Sequence, residues 1–302
     1  SKYLVASEEL EPGNGWLYSG WIGALAENPY MDGEELGKVI CDTYYEGCEA
    51  VGTETQTTLS LTDLTKLDSL LEAYEAFGQE ALIAATEDPG FFAQLARAAN
   101  ESENYGGNTR EQGYSNMVDL GHFARRTAWM LPTAQEVQEA LEECILYQVA
   151  GNYRAEATGL SCYYSYNGDI DEFNSYADLG TGTAFKYLYS YGLNGEMSEE
   201  GQEYLESFNI QEYIEVPSLF NMEWEGKPLK LNEEGTSILE LGPEAYDVLA
   251  GISFYLFYVD EENDLMLHLG TDNDINADWE KGIFYDNFRG VWGAIDEHLV
   301  YM

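Results

Sequence analysis

Positively charged residues are scarce in this 302-residue chain. Lysine and arginine together number 13, against 56 aspartates and glutamates, which gives a formal net charge of −43. A surface this negative repels phosphate groups, so nucleic acids and anionic membranes are excluded as partners, whereas basic peptides are attracted. An acidic surface that only keeps an exported protein in solution is the alternative explanation. The chain also lacks any run of about 18 apolar residues, so the sequence predicts no membrane-spanning segment.

Cysteine is sparse as well. The four cysteines are Cys41, Cys48, Cys144 and Cys162, and none belongs to a CxxC pair, which argues against a zinc cage. Cys41 and Cys48 fall two turns apart in one predicted helix, which is too far for a disulfide within that helix. We therefore expect all four to act as small buried hydrophobic residues.

Familiar catalytic signatures are missing too. The sequence contains no GxSxG, Walker A, GxGxxG or HExxH pattern. Its three histidines are His122, His268 and His298. His122 and Cys144 are the nearest candidates for a Cys–His dyad, but Cys144 lies on the apolar face of a predicted helix. Burial raises the pKa of such a thiol and leaves it unreactive, so we do not expect this pair to be catalytic.

What the chain does contain is enough apolar sequence for one large domain or two ordinary ones. It is 45% hydrophobic and 14% aromatic. Strands are predicted at 3–7, 57–61 and 159–166, with a short strand at 117–120. Between them fall stretches with helical spacing, which begin near 32, 64, 133, 181 and 198. The helix from about 133 carries apolar positions as far as 149. Strands that alternate with helices favour a layered α/β sheet.

Near residue 215 the pattern changes to strand-like runs, among them ISFYLFYV and LMLHLG, which DEEND joins as a hairpin. We therefore divide the chain into an α/β part at 1–214 and a mainly β accessory domain at 215–302. The first residues and the last residues both look like strands already in progress. We accordingly expect the chain to be a fragment and the accessory domain to be truncated.

The run DNDINAD places oxygen-bearing side chains at alternate positions, namely Asp272, Asp274, Asn276 and Asp278. Hard cations such as Ca²⁺ prefer oxygen ligands, so this run is a candidate calcium site. An EF-hand loop needs Gly at its sixth position and Glu at its twelfth, and this run provides neither. A turn rich in Asp and Asn between two strands is the alternative.

Five segments form an ordered set over roughly the first 170 residues: YLVASEELEPGNGWLYSGWIGAL, LGKVICDTYY, TLSLTDLTKL, NYGGNTREQGYSNMVDLGHFAR and GNYRAEATGLSCYYSY. Their order and spacing resemble those of the clostripain-like cysteine peptidases of the caspase-like clan. The later run LGTDNDINADWEKGIFYDNFRGVWGAID resembles the accessory region of that family more weakly.

The resemblance implies a caspase-like layered sheet with helices on both faces, of which residues 1–214 are the C-terminal part. In that family the nucleophilic cysteine ends an Asp-Ala-Cys motif before a strand that resembles YLVASEE. The Cys–His dyad should therefore lie upstream of residue 1, and no catalytic residue is assigned here. The partners implied are the N-terminal half of the same protein and peptide substrates with basic residues. The location implied is outside a bacterial cell or on its surface. No cofactor is implied.

The resemblance also implies cleavage after Arg or Lys, whose charge requires acidic partners. The segment from 7 to 16, which follows the first strand, should help to bind that side chain. Its candidate residues are Ser7, Glu8, Glu9, Glu11, Asn14 and Trp16. Two other classes of function stay open. One is a catalytically inactive relative that binds peptides or carbohydrates at a cell surface, and the other is an adhesion module that binds through the tyrosine-rich β region.

Overall fold

The computed structural model describes residues 1–106, 115–217, 222–233, 235–272 and 275–286, together with the backbone of 294–295 and 298–299. The chain divides into two compact units, one formed by Ser1–Asp88 and Ala98–Glu215, the other by Pro89–Arg97 and Val216–Met302. The first unit mixes helices with strands, and the second consists mainly of strands. The mixed α/β class and the strand-rich C-terminal region predicted from the sequence are therefore confirmed.

The described elements follow one another in this order: β1 (Tyr3–Ala6), α1 (Tyr18–Glu27), α2 (Gly33–Glu49), β2 (Thr58–Asp63), α3 (Leu67–Glu87), α4 (Phe91–Asn100), β3 (Met117–Asp119), α5 (Leu120–Thr127), α6 (Ala134–Cys144), β4 (Ile145–Ala150), β5 (Ser161–Tyr163), α7 (Ile170–Asp178), α8 (Thr183–Asn194), α9 (Glu199–Glu206), β6 (Lys230–Leu231), β7 (Ser237–Glu240), α10 (Ala245–Val248), β8 (Phe254–Asp260), β9 (Leu265–Asp272), β10 (Asn276–Asp278), β11 (Ile283–Asp286), β12 (Ala294–Ile295) and β13 (His298–Leu299).

An antiparallel sheet of order β1-β2-β4 organises the start of the first unit. All six residues of β2 are buried, so both faces of this central strand are covered. Leu59 and Leu61 are fully buried against Cys41 and Tyr44 of α2. A Cβ atom at Gly37 would lie 2.4 Å from the Leu61 side chain, so only glycine lets α2 approach the sheet this closely. This packing fixes the end of β1, from which the 7–16 segment leaves.

Helix α2 begins near residue 32, as predicted, and its first turn is closed by a capping box. The Asp32 carboxylate accepts the N–H groups of Glu34 and Glu35, each at 2.9 Å, and the Glu35 carboxylate accepts the Asp32 N–H at 3.1 Å. These bonds satisfy N–H groups that a helix leaves without partners in its first turn.

Further along the first unit, aromatic rings fill the core. Tyr74 stacks on Phe185 with ring centroids 4.7 Å apart, and Phe77 meets the edges of both Phe185 and Phe123. These rings join α3, α5 and α8 into one buried layer. β3 and β5 form a separate antiparallel pair beside it.

The second unit contains an antiparallel sheet of order β10-β11-β7-β6 and a separate hairpin of β8 and β9. Phe284 of β11 is fully buried with Leu241, Ala245 and Leu249. The hairpin turn falls where DEEND was predicted to join two strands, which confirms that prediction.

One predicted helix is wrong in its second half. The helix that begins near 133 ends at Cys144, and Ile145–Ala150 forms β4. β4 pairs with β2, so the sheet provides the backbone partners that a continuing helix would have provided. Helices α1, α4, α5, α7 and α10 were not predicted at all.

No helix in the described part of the chain combines the length and the apolar character needed to cross a membrane. All four cysteines are free thiols; Cys41, Cys48 and Cys144 are buried as predicted, and Cys162 is half-buried.

Candidate functional site

The predicted substrate segment, residues 7–16, divides into two parts with opposite surroundings. Residues 7–9, here called the inward half, turn into the protein, and Glu9 is only 7% exposed. Residues 10–16, the outward half, lie at the surface, and the next side chain, Leu10, is 69% exposed. The structure therefore separates acids that the sequence places in one group.

Ser7 fastens the inward half to the sheet. Its Oγ lies 3.0 Å from Oγ1 of Thr58 on β2 and donates to the Glu9 carbonyl at 2.9 Å. The N–H of Glu9 donates back to the Ser7 Oγ at 3.2 Å. This exchange forms a tight turn that directs the Glu9 side chain inward.

Glu9 forms an ion pair with Arg154, and that pair is almost completely shielded from solvent. The Arg154 side chain is 13% exposed and the Glu9 side chain 4%. The same guanidinium donates to the Glu103 carboxylate at 2.6 Å and to the Asn104 carbonyl at 3.0 Å. The other oxygen of Glu9 accepts the Gly106 N–H at 2.9 Å. We call Arg154 with Glu9 and Glu103 the Arg154 clamp; it joins three separate loops.

Asp119 lies beneath the clamp and is completely buried. One carboxylate oxygen accepts the His122 N–H at 2.7 Å and the Thr158 hydroxyl at 2.6 Å. The other accepts the Thr158 N–H at 2.7 Å and the Tyr105 hydroxyl at 2.8 Å. Four donors thus compensate for the burial of one negative charge.

Glu8 also points inward, where it accepts the Gly159 N–H at 2.6 Å. Burial raises the pKa of the Glu8 carboxyl, and the negative charge of Asp119 adds to that rise. Burial likewise raises the pKa of Glu103, although the Arg154 guanidinium opposes the effect. Gly159 has φ +102°, a conformation that favours glycine, so other residues are disfavoured at position 159.

The outward half has few internal partners. The Glu11 carboxylate accepts the Trp16 indole N–H at 2.7 Å, and the Asn14 carbonyl accepts the Thr53 hydroxyl at 3.3 Å. Gly15 has φ +67°, as the turn requires. A cavity of about 360 Å³ opens beside the segment, between residues 9–12 and the turn at 52–56. A volume of this size is enough for a single side chain of a ligand.

Within the described part of the chain, His122 does not form a catalytic pair with any of the four cysteine thiols. The Cys144 thiol is buried and faces the Asp63 carbonyl at 3.6 Å, and burial raises its pKa. His122 instead faces the Glu103 N–H and the Arg126 guanidinium, and burial together with Arg125 and Arg126 lowers its pKa. Burial also raises the pKa of Cys41 to about 12 and that of Cys162 further still.

The candidate calcium ligands lie in the second unit. Asp272 ends β9, Asn276 begins β10, and Asp278 forms an ion pair with Lys281 at 2.5 Å. Asp274 lies outside the described residues. Among the residues that are described, no group of three or more His, Cys, Asp or Glu side chains is arranged to hold a metal ion.

Sequence reasoning missed the residues that hold the segment in place: Arg154, Glu103, Tyr105 and Asp119. One signal was available for Arg154, which is the single basic residue between Arg126 and Lys186. An isolated cation in such an acidic stretch is a candidate for a buried ion pair. Its partners Glu9 and Glu103 are distant in sequence, and nothing in the pattern of acids identifies them.

A family model described as the clostripain family matches residues 1–214. A cysteine protease from B. fragilis resembles the chain at 19% identity and a TM-score of 0.44, over 60% of this chain and 79% of that one. An inactive zymogen C11 protease from Parabacteroides distasonis is similar at 15% identity and a TM-score of 0.43, over 59% of this chain and 49% of that one. A clostripain from Bacteroides thetaiotaomicron, in complex with a peptide inhibitor, is similar at 17% identity and a TM-score of 0.40, over 58% of this chain and 75% of that one. No curated protein matches the chain.

Proposed function

Since this chain belongs to the clostripain family of cysteine peptidases, we propose that it is part of an exported endopeptidase that cleaves peptide bonds after Arg or Lys. Its nucleophilic cysteine and its catalytic histidine would precede residue 1. The reaction would be acyl transfer, in which the thiolate attacks the scissile carbonyl, histidine protonates the leaving amine, and water hydrolyses the thioester. The observation that carries the proposal is the family match over residues 1–214.

Within that enzyme, the outward half of the 7–16 segment would contact the basic P1 side chain. Glu11 and Asn14 are exposed, whereas Glu9 already neutralises Arg154 and Glu8 is bonded to Gly159. A guanidinium or ammonium group needs charge-assisted acceptors, and Glu11 provides a carboxylate at the surface. Trp16 orients that carboxylate through its indole N–H. Ser7, Glu8 and Glu9 would act indirectly, by holding the segment in position.

This polypeptide by itself would be inactive, because its catalytic dyad would lie in the preceding sequence and the environments of three of its four thiols do not favour a thiolate. Burial raises the pKa of Cys41, Cys144 and Cys162. Incubation with a thiol-reactive inhibitor that carries a P1 arginine should leave all four cysteines unmodified. Rapid stoichiometric labelling of any of them would contradict the assignment of the dyad to the preceding sequence.

The specificity proposal is tested on the full-length enzyme by comparing kcat/KM for substrates with Arg, Lys and Gln at P1. Asn14→Asp should increase the preference for Lys relative to Arg, since Asn accepts a hydrogen bond without charge and the fork of Arg donors exploits such an acceptor better. Glu11→Gln should weaken discrimination against Gln. Asn28→Asp adds the same charge at an exposed position outside the segment and is the control. Unchanged P1 ratios in both segment variants would mean that the outward half does not contact P1.

We propose no required cofactor and only weak binding of calcium at Asp272, Asp274, Asn276 and Asp278. Isothermal titration should give dissociation constants no tighter than about 10⁻⁴ M. Micromolar binding that Asp274→Ala abolishes would show that the run is a genuine calcium site.

A further inference from the structure

The cavity of about 360 Å³ beside the 7–16 segment has two walls that are distant in sequence. Residues 9–12 form the first wall, and residues 52–56 form the second. Among the residues that the structure describes, no hydrogen bond joins the first wall directly to the second. The distance between the walls is therefore set by the contacts that each wall makes with other parts of the first unit.

Arg154 holds the first wall through Glu9. One oxygen of the Glu9 carboxylate accepts a hydrogen bond from the Arg154 guanidinium, and the other accepts the N–H groups of Leu10 at 2.7 Å and Gly106 at 2.9 Å. The ion pair is almost completely shielded from solvent, so water does not replace these bonds when they are lost. Leu10, where the chain turns outward, is thereby tied to Arg154 through a single carboxylate.

Arg154 holds the second wall through the backbone. It ends a 3₁₀ turn at Asn152–Arg154, and its N–H donates to the Gly151 carbonyl at 2.9 Å. The Gly151 N–H donates in turn to the carbonyl of Thr57, the residue that follows the second wall, at 2.8 Å. A Cβ atom at Gly151 would lie 1.9 Å from the Glu54 carbonyl oxygen, so the two segments are in direct backbone contact. A shift of the Arg154 backbone therefore displaces the second wall.

The guanidinium itself is held by residues that belong to neither wall. It donates to the Glu103 carboxylate at 2.6 Å and to the Asn104 carbonyl at 3.0 Å. It also lies over the ring of Tyr105, 5.6 Å from the ring centroid, and the Tyr105 hydroxyl donates to the buried Asp119. Arg154 therefore connects both walls to a fixed point in the interior.

We propose that Arg154 is a positioning residue, which fixes the separation of the two walls and thereby sets the selectivity for the P1 side chain. The inference rests on the proposed function, in which the outward half contacts a basic P1 residue. Arg154 is not among the residues that line the cavity, so it acts on the substrate only through the walls. A misplacement of about 1 Å that originates far from the reacting atoms is enough to lower a rate by about a hundredfold.

The first test measures the walls and needs no peptidase activity. Arg154→Lys retains the charge, but one ammonium group does not replace the two guanidinium nitrogens that bond separately to Glu9 and Glu103. Hydrogen exchange of the full-length protein is followed by mass spectrometry at single-residue resolution. We expect exchange to be about tenfold faster in the variant at the amides of both Leu10 and Gly151, because the contacts that order them are weakened.

The control for a general loss of stability is Phe77→Leu, which removes packing from the aromatic core without changing the clamp. It should not accelerate exchange selectively at Leu10 and Gly151. Unchanged exchange at both amides in Arg154→Lys would overturn the proposal. Faster exchange at Leu10 alone would show that Arg154 holds only the first wall and would contradict it as well.

The second test is kinetic and uses the full-length enzyme with substrates that differ only in having Arg or Gln at P1. Arg154→Lys should reduce the Arg/Gln ratio of kcat/KM about tenfold, chiefly through a higher KM for the Arg substrate. Phe77→Leu should leave this ratio unchanged, since lost stability affects both substrates equally. An unchanged ratio in Arg154→Lys would contradict the assignment of selectivity to Arg154. A wild type without preference for a basic P1 residue would instead refute the proposed function, and hydrogen exchange would still decide whether Arg154 positions the walls.

Discussion

Both halves of the 7–16 segment carry glutamates, but those of the inward half are shielded from solvent and that of the outward half is exposed. In the inward half, Glu9 is enclosed in the Arg154 clamp and Glu8 is held against Gly159. In the outward half, Glu11 is exposed and bonded only to its neighbour Trp16 among the hydrogen bonds described. A carboxylate removed from water needs a cation or several donors, whereas an exposed one does not. The inward acids therefore maintain the structure, and the outward acid is available for a ligand.

The largest expected effect comes from Arg154→Ala. This change leaves Glu9 and Glu103 facing each other without their cation, and loss of one partner of a buried ion pair costs about 3–5 kcal/mol. Denaturant titration of the full-length protein should show this decrease in the free energy of unfolding. Arg125→Ala is the control, since Arg125 and Glu156 are 49% and 54% exposed and such pairs contribute about 0–1 kcal/mol. If both variants lose equally little, the clamp does not stabilise the inward half.

The next effect in size is that of Asp119→Asn, which we expect to cost about 1–3 kcal/mol. Each carboxylate oxygen accepts one backbone N–H, from His122 or from Thr158, so an amide nitrogen at either position faces a donor. Hydroxyls can rotate to adapt, but backbone N–H groups cannot.

The matched control for that change is Asp169→Asn. Asp169 caps α7 with one oxygen that accepts both the Asp171 and Glu172 N–H groups, and asparagine caps helices equally well. Denaturation midpoints of the two variants should therefore differ clearly. A stable Asp119→Asn protein would mean that water or a shifted loop satisfies the donors, and that the inward network is less rigid than described.

The sequence predicts most of the strands and helices that surround the 7–16 segment, but few of the buried interactions that hold its inward half in place. Short apolar runs locate β1 and β2 and a capping signal locates α2, because these are local patterns. β4 was missed because Ile145 and Val149 fit a helical face as well as a strand, and pairing with β2 decides between them. The partner of Glu9 lies 145 residues away in the chain. Such long-range pairing depends on the folded arrangement of loops, which no local pattern encodes.

A smaller effect is expected from Glu8→Gln, and its sign depends on pH. Because burial raises the folded-state pKa of Glu8, the folded protein binds this proton more tightly than the unfolded chain does. Its contribution to stability is therefore present at low pH and is lost as the pH rises through the folded pKa. Glutamine stays neutral and can still accept the Gly159 N–H, so the variant should gain stability relative to the wild type as the pH increases. Unfolding titrations at several pH values from 4 to 8 check this, and a difference that does not vary with pH would contradict the inward placement of Glu8.

The smallest expected effect on stability is that of Glu11→Gln, in the outward half. The carboxylate of Glu11 is exposed, and the amide oxygen of glutamine can still accept the Trp16 indole N–H. Surface substitutions without a buried partner change the free energy of unfolding by less than about 0.5 kcal/mol. We therefore expect the unfolding curve of Glu11→Gln to coincide with that of the wild type, even at the pH values at which the curve of Glu8→Gln differs from the wild type. Glu9→Gln is the paired comparison, since the same chemical change there removes the charge that faces Arg154. A Glu11→Gln protein that loses as much stability as Glu9→Gln would show that the two halves are one structural unit, and the outward acid would then not be free to meet a substrate.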